Sequence, residues 1–244
     1  MTGLIRVVDY ETTGTPEDAD AEIIEIGTCD LLLDTMAIGR EWSSLVCPRG
    51  PIPPVTRAVH HISHAMVQDA PQLREVVEPA FCDGLESGGI MAAHNAEFER
   101  HFTPDKTLRF ICTYKCARIV WPDAPGHGNQ VLRYWLGFDD MPDFDPVKAD
   151  PPHRAGPDAY TTAFLLRELL RHKPVDELLT ISKFPAVLKT MNFGKHKGTP
   201  FAEAPTDYLE WLRDRSEMGE DVKFTARREL QRRRKAQENH HKGD

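Results

Sequence analysis

The order of strand-like and helix-like segments is the feature that most restricts the folds open to this chain. Runs of β-branched and aliphatic residues, which are typical of strands, come first at residues 4–9, 22–33 and 38–46. Two shorter apolar runs, at 89–93 and 110–112, then alternate with helix-like segments. Strands that come first and afterwards alternate with helices predict an α/β fold, in which helices pack on a mixed sheet.

Helical segments are predicted where apolar residues recur three and four positions apart. The clearest begins near Pro157, because proline suits a first helical position, and runs to about His172. A stretch rich in Asp and Pro at 139–153 precedes it and is predicted to be a loop. The other helices are predicted at 73–85, 113–120, 129–136, 206–216 and 222–238.

With 244 residues, the chain is long enough for one ordinary domain and a small appendage. The pattern breaks near 173–183, which predicts a boundary there. We therefore expect a first domain at residues 1–173 and a small C-terminal module, helical or α+β, at 184–235. The polar residues 236–244 are expected to form a disordered tail.

The composition excludes several classes of protein. No apolar run approaches the roughly 20 residues that a membrane-spanning helix needs, and the N-terminus has no signal-peptide pattern, so we expect a soluble, cytoplasmic protein. The five cysteines form no CxxC pair, which argues against a disulfide framework or a zinc site. The net charge of −8 does not suggest a basic coat for nucleic acid, although Lys and Arg are concentrated at 223–235.

Two acidic residues, Asp9 and Glu11, lie at the end of the first predicted strand. Side chains at i and i+2 of a strand point to the same face, so the two carboxylates project together. Such carboxylates repel each other unless a cation neutralises them, and hard divalent metals such as Mg²⁺ prefer oxygen ligands. The pair therefore indicates either a metal site or two solvated acids at a strand end.

Two further segments carry residues of the same chemistry. His153 ends the predicted loop, and Asp158 lies in the first turn of the next helix, where an acid also suits the helix dipole. In the segment 92–100, a strand of small residues leads into a helix that carries Glu97 and Glu99. Taken singly, these residues are more simply explained as a helix cap, an exposed loop histidine and surface charges.

Together, the three segments resemble the DEDDh exonucleases, the superfamily that includes the proofreading subunit of bacterial DNA polymerase III. That family's pattern begins Asp-x-Glu-Thr, continues with His-Asn-Ala-x-Phe-Asp and ends with a His followed five residues later by Asp. The chain matches it in order and spacing with DYET at 9–12, HNAEFE at 94–99, and His153 with Asp158. The resemblance implies a ribonuclease-H-like fold and a metal-dependent 3′→5′ exonuclease.

The similarity extends to the exodeoxyribonuclease X branch of that superfamily. The segments 58–67, 111–122 and 193–212 resemble stretches found in this branch, the last of them its small C-terminal module. The resemblance thus covers nearly the whole chain, to about residue 230. It implies DNA as the substrate and a role in DNA repair or end processing.

The resemblance also implies a set of site residues. Two Mg²⁺ ions, for which Mn²⁺ can substitute, would be held by Asp9, Glu11, Glu99 and Asp158. His153 would be the general base that takes a proton from the attacking water, since an imidazole with a pKa of roughly 6.5 is neutral near pH 7. Hydrolysis would then release 5′-mononucleotides. Substrate contacts are expected from Thr12, Thr13, Asn95, Phe98 and, more weakly, His60; for Phe98 a place in the core is an equal alternative.

One position departs from the family pattern, because Glu99 stands where the family has its middle Asp. Glutamate is one methylene longer, so its carboxylate reaches about 1.5 Å further unless the helix or the rotamer adjusts. We expect an active enzyme nonetheless, since the other four positions match and carboxylates bind metals in both monodentate and bidentate modes.

The sequence leaves three functions open. The chain is a DNA exonuclease, an RNA-trimming exonuclease that differs only in its contacts to the 2′-hydroxyl, or a nucleic-acid-binding module with an impaired site. DNA is the expected partner in preference to RNA, and neither a membrane nor a protein partner is indicated. The basic segment 223–235 and the turn at 194–198 either contact phosphates or form solvated surface.

Overall fold

The computed structural model describes residues 3–85 and 88–241. The chain divides into two compact units. Unit 1 comprises the chain up to Ala117 together with Asp123–Ser182, and unit 2 comprises Arg118–Pro122 together with the chain from Lys183 onward. The boundary therefore falls at the end of the predicted range, and residues 174–182 belong to unit 1. None of the described helices is long and apolar enough to cross a membrane.

A five-stranded sheet forms the centre of unit 1. Its strands are β1 (Leu4–Thr12), β2 (Ile23–Leu32), β3 (Ile38–Leu45), β4 (Ile90–Ala93) and β5 (Arg109–Cys112). They lie in the order β3-β2-β1-β4-β5. The pairs β1–β2 and β2–β3 are antiparallel, whereas β1–β4 and β4–β5 are parallel. The predicted mixed sheet is thus confirmed, and each of the five predicted strands is present.

The helices follow the predicted order with some changes of boundary. The described helices are α1 (Pro54–His60), α2 (His64–Val67), α3 (Leu73–Val77), α4 (Ala96–Phe102), α5 (Thr113–Val120), α6 (Asn129–Trp135), α7 (Ala155–His172), α8 (Val175–Ser182), α9 (Thr206–Asp214) and α10 (Glu220–His241). A π-helical turn at Glu78–Cys82 continues α3, and 3₁₀ turns lie at Phe138–Asp140 and Phe201–Glu203. Because α10 reaches His241, residues 236–241 are helical and not the disordered tail that the sequence predicted; residues 242–244 lie outside the described chain.

Different helices cover the two faces of the sheet. Val8 and Tyr10 of β1 pack against α3 and the π-helical turn, where the rings of Tyr10 and Phe81 lie 6.2 Å apart. Helix α7 covers the other face, on β1 and β2. Since alternate residues of a strand point to opposite faces, Asp9 and Glu11 point toward α7.

A buried ion pair fixes the beginning of β1. The guanidinium of Arg6 is fully buried and donates to both carboxylate oxygens of Asp30, its partner on β2, at 2.7 and 2.9 Å. It also donates to the carbonyl oxygens of Ala80 and Asp83 at 3.2 and 2.6 Å. All three nitrogens of the guanidinium are bonded, so the buried charge is compensated.

Helix α7 approaches β2 so closely that only glycine fits at position 27. A Cβ atom added to Gly27 would lie 2.0 Å from the carbonyl oxygen of Ala155, the first residue of α7. Gly27 is also the ladder partner of Asp9. This contact therefore sets how near the beginning of α7 comes to the acidic residues of β1.

Unit 2 is a small helical module whose core joins α9 and α10. Its buried residues include Met191, Phe201, Leu209, Leu212, Val222, Ala226 and Leu230. The turn at 194–198 packs on Tyr208, because a Cβ at Gly194, where φ is +62°, would lie 2.8 Å from the Tyr208 hydroxyl. The His196 ring lies 4.4 Å from that of Tyr208. Of the two roles left open for this turn, these contacts favour a packed surface turn.

Gly27→Ala should lower the free energy of unfolding by about 1–3 kcal/mol, because the added methyl group meets a backbone oxygen that cannot rotate away. Urea unfolding followed by circular dichroism measures the change. Gly50→Ala is the matched control, since the nearest atom to its new Cβ is Glu22 Oε2 at an ordinary 3.6 Å. Equal unfolding midpoints for the two variants would contradict the close approach of α7 to β2.

Candidate active site

Three carboxylates converge where β1 ends and α7 begins. Asp9 and Glu11 project from β1, and Asp158 projects from the first turn of α7. One carboxylate oxygen of each lies within 4.8 Å of the others. The structure therefore brings together residues that are about 150 positions apart in the chain, as the sequence motifs predicted, in an arrangement that suits a divalent cation.

Glu99, the fourth predicted acid, lies beside this group. It comes from α4 and is only 4% exposed. Its Oε2 atom is buried and has no hydrogen-bond partner among the described residues. The charge of Glu99 contributes to the raised pKa of Asp9, and the charge of Glu11 contributes to the raised pKa of Glu99. Glu99 therefore interacts electrostatically with the other acids of the group. A buried carboxylate oxygen without a donor requires either a proton or a cation.

Burial and mutual repulsion make the charged forms of these acids unfavourable. Burial is the main cause that raises the pKa of Asp9 well above its usual value, followed by the charges of Asp158 and Glu99. Burial, then Asp158 and Glu25, raise the pKa of Glu11 to about 8. Burial likewise raises the pKa of Glu99 to about 8. Neighbouring protein groups therefore do not compensate the negative charge that the cluster would carry if all its acids were ionised.

Asp158 is oriented by the loop before α7 and by α6. The backbone N–H of His153 donates to Asp158 Oδ2 at 2.8 Å, and Gln130 Nε2 donates to Oδ1 at 3.3 Å. The side chain of Asn129 donates to the backbone carbonyl of Asp158 and to Thr162 Oγ1, both at 3.2 Å. Sequence reasoning missed Asn129 and Gln130, because amides at the start of a helix give no signal until their partner is known.

His153 is exposed beside the acidic cluster. Its backbone has φ of +59°, a left-handed conformation that is uncommon for a residue other than glycine. Its backbone N–H lies 2.8 Å from Asp158 Oδ2, which places the residue next to that carboxylate. Strained backbone of this kind is often found at functional sites, where surrounding contacts hold it in place.

An ion pair that the sequence did not reveal supplies such a contact. Arg154 donates from Nε to Glu25 Oε2 at 2.9 Å and from Nη2 to Oε1 at 2.5 Å, and the N–H of Ala155 donates to Oε2 at 3.0 Å. Glu25 is buried on β2, opposite Glu11 in the ladder. The pair ties the residue after His153 to the sheet, and Arg154 also opposes the rise in the pKa of Glu11.

The residues after Glu11 form a tight turn. Thr12 and Thr13 are buried, and their hydroxyls are used within the chain. Thr12 Oγ1 donates to the carbonyl of Gly14 at 2.6 Å, and Thr13 Oγ1 accepts from the N–H of Glu22 at 2.9 Å. The N–H of Thr13 donates to the carbonyl of Glu22 at 2.9 Å. These bonds give the turn its shape, and substrate contact at Thr12 and Thr13 stays a prediction.

The other predicted substrate contacts differ in exposure. Asn95 is exposed immediately before α4 with φ of 97°, and Phe98 is half-buried with its ring 5.0 Å from that of Phe102. His60 is not an accessible loop histidine, because it ends α1 and is 2% exposed. Its Nδ1 atom accepts from the N–H of Ile62 at 2.9 Å, and burial lowers its pKa. A direct contact between His60 and substrate is therefore not supported.

His94, the first residue of the middle motif, has a structural role. Its Nδ1 lies 2.9 Å from Thr113 Oγ1, and its Nε2 lies 2.8 Å from the carbonyl oxygen of His127. Burial lowers its pKa to about 4, so the ring is neutral near pH 7. Both nitrogens are occupied, and the ring connects the end of β4 to the segment before α6.

Comparison with known proteins assigns these features to a family. Residues 7–166 match the model of the RNase_T family of exonucleases, a span that includes all four acids and His153. Exodeoxyribonuclease 10 of Escherichia coli (strain K12) is 32% identical over 217 residues, which cover 86% of this chain and 90% of that protein. DNA polymerase III subunit epsilon of Treponema pallidum is 27% identical over 173 residues, with coverage of 67% and 75%.

Solved structures give the same result for the fold. Exonuclease X in complex with 5′ overhanging duplex DNA is 30% identical, with a TM-score of 0.57, and the match covers 73% of this chain and 99% of that chain. The predicted ribonuclease-H-like fold is thereby confirmed.

Without metal, Glu11 should make the protein less stable as the pH rises. The pKa of Glu11 is about 8 in the folded protein and near 4.5 when unfolded, so its contribution to stability is full below pH 4.5 and is lost as the pH rises toward 8. Melting temperatures in EDTA at pH 5 and pH 8 measure the effect. Glu11→Gln should gain in melting temperature relative to the parent protein as the pH rises.

Glu97→Gln is the matched control, because the Glu97 side chain is 81% exposed, and its difference from the parent should not change with pH. Mg²⁺ or Mn²⁺ at pH 8 should raise the melting temperature of the parent more than that of Glu11→Gln. If the melting temperatures of Glu11→Gln and the parent differ by the same amount at pH 5 and pH 8, the Glu11 carboxyl is not buried and repelled by neighbouring charges as described.

Proposed function

This chain belongs to the RNase_T family of exonucleases, and we propose that it removes nucleotides one at a time from the 3′ end of DNA by metal-dependent hydrolysis. The observation that carries the proposal is the convergence of Asp9, Glu11 and Asp158, whose carboxylate oxygens lie within 4.8 Å of one another. The name of the E. coli relative and the DNA complex of the similar structure support DNA as the polymer.

The proposed cofactor is a pair of Mg²⁺ ions, for which Mn²⁺ can substitute, held by Asp9, Glu11, Glu99 and Asp158. The chemistry of the donors supports it, because hard divalent cations prefer carboxylate oxygens. The unpartnered Glu99 Oε2 and the raised pKa values of Glu11 and Glu99 support it independently, since both features mark uncompensated negative charge. When bound, two such ions supply positive charge that stabilises the attacking and leaving oxygens of an in-line displacement.

We assign the proton transfer to His153. The residue is exposed and its backbone N–H contacts Asp158, so we expect a ring nitrogen to take the proton from the water that attacks the terminal phosphorus. As the bond from the water oxygen to phosphorus forms, the bond from phosphorus to the 3′ oxygen of the preceding nucleotide breaks. The product is a nucleoside 5′-monophosphate. The hydrogen bond from His153 N–H to Asp158 and the Arg154–Glu25 pair hold this loop in place during the reaction.

The proposed substrate contacts lie on the segments that carry the acids. Asn95 and Phe98 stand on either side of the beginning of α4, close in sequence to Glu99, and Thr12 and Thr13 follow Glu11 directly. Asn95 is exposed, and Phe98 is half-buried, so both residues are accessible to a nucleotide in whole or in part. We propose that these residues receive the terminal nucleotide.

RNA is the alternative substrate, because the same acids can hydrolyse either polymer and discrimination depends on contacts to the 2′-hydroxyl. Digestion of 5′-labelled DNA and RNA strands of matched sequence with Mg²⁺ decides between them. The proposal requires faster release of mononucleotides from DNA, and faster release from RNA would replace it with an RNA-trimming activity.

Asp9→Asn should reduce kcat on DNA by about 1,000-fold or more, because removal of one ligand charge forfeits several kcal/mol of transition-state stabilisation. The readout is the release of labelled mononucleotides with Mg²⁺. Asp34→Asn, which makes the same change at an exposed turn, should match the parent protein. If the parent and Asp9→Asn both bind DNA but neither releases mononucleotides, the chain is a binding module with an impaired site.

Glu99→Gln should reduce kcat about 100-fold or more, because an amide keeps the size of the side chain but removes the charge. Glu99→Asp should keep or raise the activity of the parent, since it restores the residue of the family pattern and keeps a carboxylate ligand. Metal titrations of hydrolysis measure both kcat and the apparent metal affinity. Equal activity of the Gln variant and the parent would remove Glu99 from the proposed ligand set.

A further inference from the structure

The two parts of the chain carry opposite net charges. Residues 1–182 contain 16 Lys and Arg against 28 Asp and Glu, a net charge of −12. Residues 183–244 contain 14 Lys and Arg against 10 Asp and Glu, a net charge of +4. At a distance, the net charge of residues 1–182 therefore repels a polyanion, whereas that of residues 183–244 attracts it.

Helix α10 presents a row of cations on one side. Its five exposed basic residues, hereafter the α10 basic face, are Arg227, Arg228, Arg232, Arg234 and Lys235. At 100° per residue these positions fall within a sector of about 160°. The opposite side of the helix is already used, because Val222, Ala226 and Leu230 are buried in the core of unit 2.

Ion pairs within unit 2 leave most of these cations uncompensated. Glu229, the single acid between Lys223 and Lys235, accepts from Arg232 at 2.7 Å and from Arg233 at 2.8 Å. Arg233 also donates to backbone carbonyls and so has a structural role. Among the described residues, no salt bridge reaches Arg228, Arg234 or Lys235.

The positive charges on this face repel one another when nothing is bound. Arg228 and Arg232 are four residues apart, a spacing at which like charges cost an isolated helix roughly 0.2–0.5 kcal/mol, and the pair between Arg232 and Glu229 offsets only part of this repulsion. A bound polyanion removes that repulsion and replaces it with attraction. A helix that served only to cover the core of unit 2 would gain nothing from such a concentration of one sign of charge.

We propose that the α10 basic face binds the phosphate backbone of a DNA strand. From Arg227 to Lys235 the helix rises about 12 Å, the length over which one strand of B-form DNA presents three or four phosphates. This inference goes beyond the proposed function, because it assigns a second contact with nucleic acid to the unit that lacks the candidate active site. Covalent attachment then raises the effective concentration of DNA for unit 1.

The chemistry of the face favours DNA over an anionic membrane. Amphipathic helices that bind membranes insert an apolar side into the lipid, and the apolar side of α10 is packed within unit 2. The exposed side carries arginines, whose guanidinium groups match phosphate oxygens in two-pronged hydrogen bonds. Backbone contacts of this kind do not depend on base sequence, so any DNA strand is expected to bind.

The test measures DNA binding by the full-length chain in EDTA, where no hydrolysis occurs. Fluorescence anisotropy of a labelled single-stranded oligonucleotide is recorded at several salt concentrations. The variant combines Arg228→Gln, Arg234→Gln and Lys235→Gln, since glutamine keeps helix propensity. We expect affinity near 0.1 M salt to fall at least 10-fold, and the slope of log K against log salt to become shallower by about 2, or 0.7 for each lost contact.

The matched control removes the same charge from exposed positions of unit 1 by Lys106→Gln, Arg109→Gln and Arg171→Gln. It should keep the parent's salt slope. Equal losses in the two triple variants, or none in the α10 variant, would overturn the inference. So would tighter α10-dependent binding to vesicles that contain phosphatidylserine than to DNA. Circular dichroism confirms that both variants fold.

The outcome is independent of the proposed function. If the parent releases mononucleotides with Mg²⁺ and the α10 variant binds DNA as tightly as the parent, only this inference fails. If binding depends on the α10 basic face but the parent releases no mononucleotides, only the proposed function fails.

Discussion

Repulsion between buried carboxylates is the constraint on which the arrangement of unit 1 depends. One region from which water is largely excluded holds Asp9, Glu11, Glu99 and Asp158. The pKa of each of these acids is raised there. A protein alone does not gain stability from such a cluster. The cluster is understandable if the functional assembly includes bound cations and a nucleic-acid substrate in addition to the folded chain.

The scaffold holds these acids together by several unrelated contacts. The ladder between β1 and β2 aims Asp9 and Glu11 at α7, and the absence of a side chain at Gly27 allows the helix to approach. The Arg154–Glu25 pair and the amide of Gln130 then fix the segment around Asp158. These contacts come from different elements of unit 1. The two parts of the chain also differ in charge: residues 1–182, which carry the proposed active site, are acidic, and residues 183–244, where DNA is proposed to be held, are basic.

The sequence predicted the parts of the site that depend on local periodicity. Asp9 and Glu11 alternate with the core residue Tyr10, and Asp158 lies one turn into a helix, so their directions follow from strand and helix geometry. The Arg154–Glu25 pair was not predictable, because its partners are 129 positions apart and neither belongs to a motif. The burial of His60 was missed for a similar reason, since the contacts that cover it come from elements whose packing the local pattern does not specify. The end of α10 was misjudged because a polar composition was taken for disorder, although residues with good helix propensity, such as Ala236, Gln237 and Glu238, can continue a helix that is already begun.

The ion pair between Arg6 and Asp30 has a consequence for the fidelity of folding. If β1 slipped by one residue against β2, every side chain of β1 would turn to the opposite face, and Asp9 and Glu11 would point away from α7. The same slip would leave the guanidinium of Arg6 buried in the core without the carboxylate of Asp30, which costs several kcal/mol. An interaction three residues, or about 10 Å, from the nearest acid therefore acts as a check on strand alignment. It penalises a misregistered sheet in which the hydrophobic pattern would be inverted and Asp9 and Glu11 would be separated from Asp158.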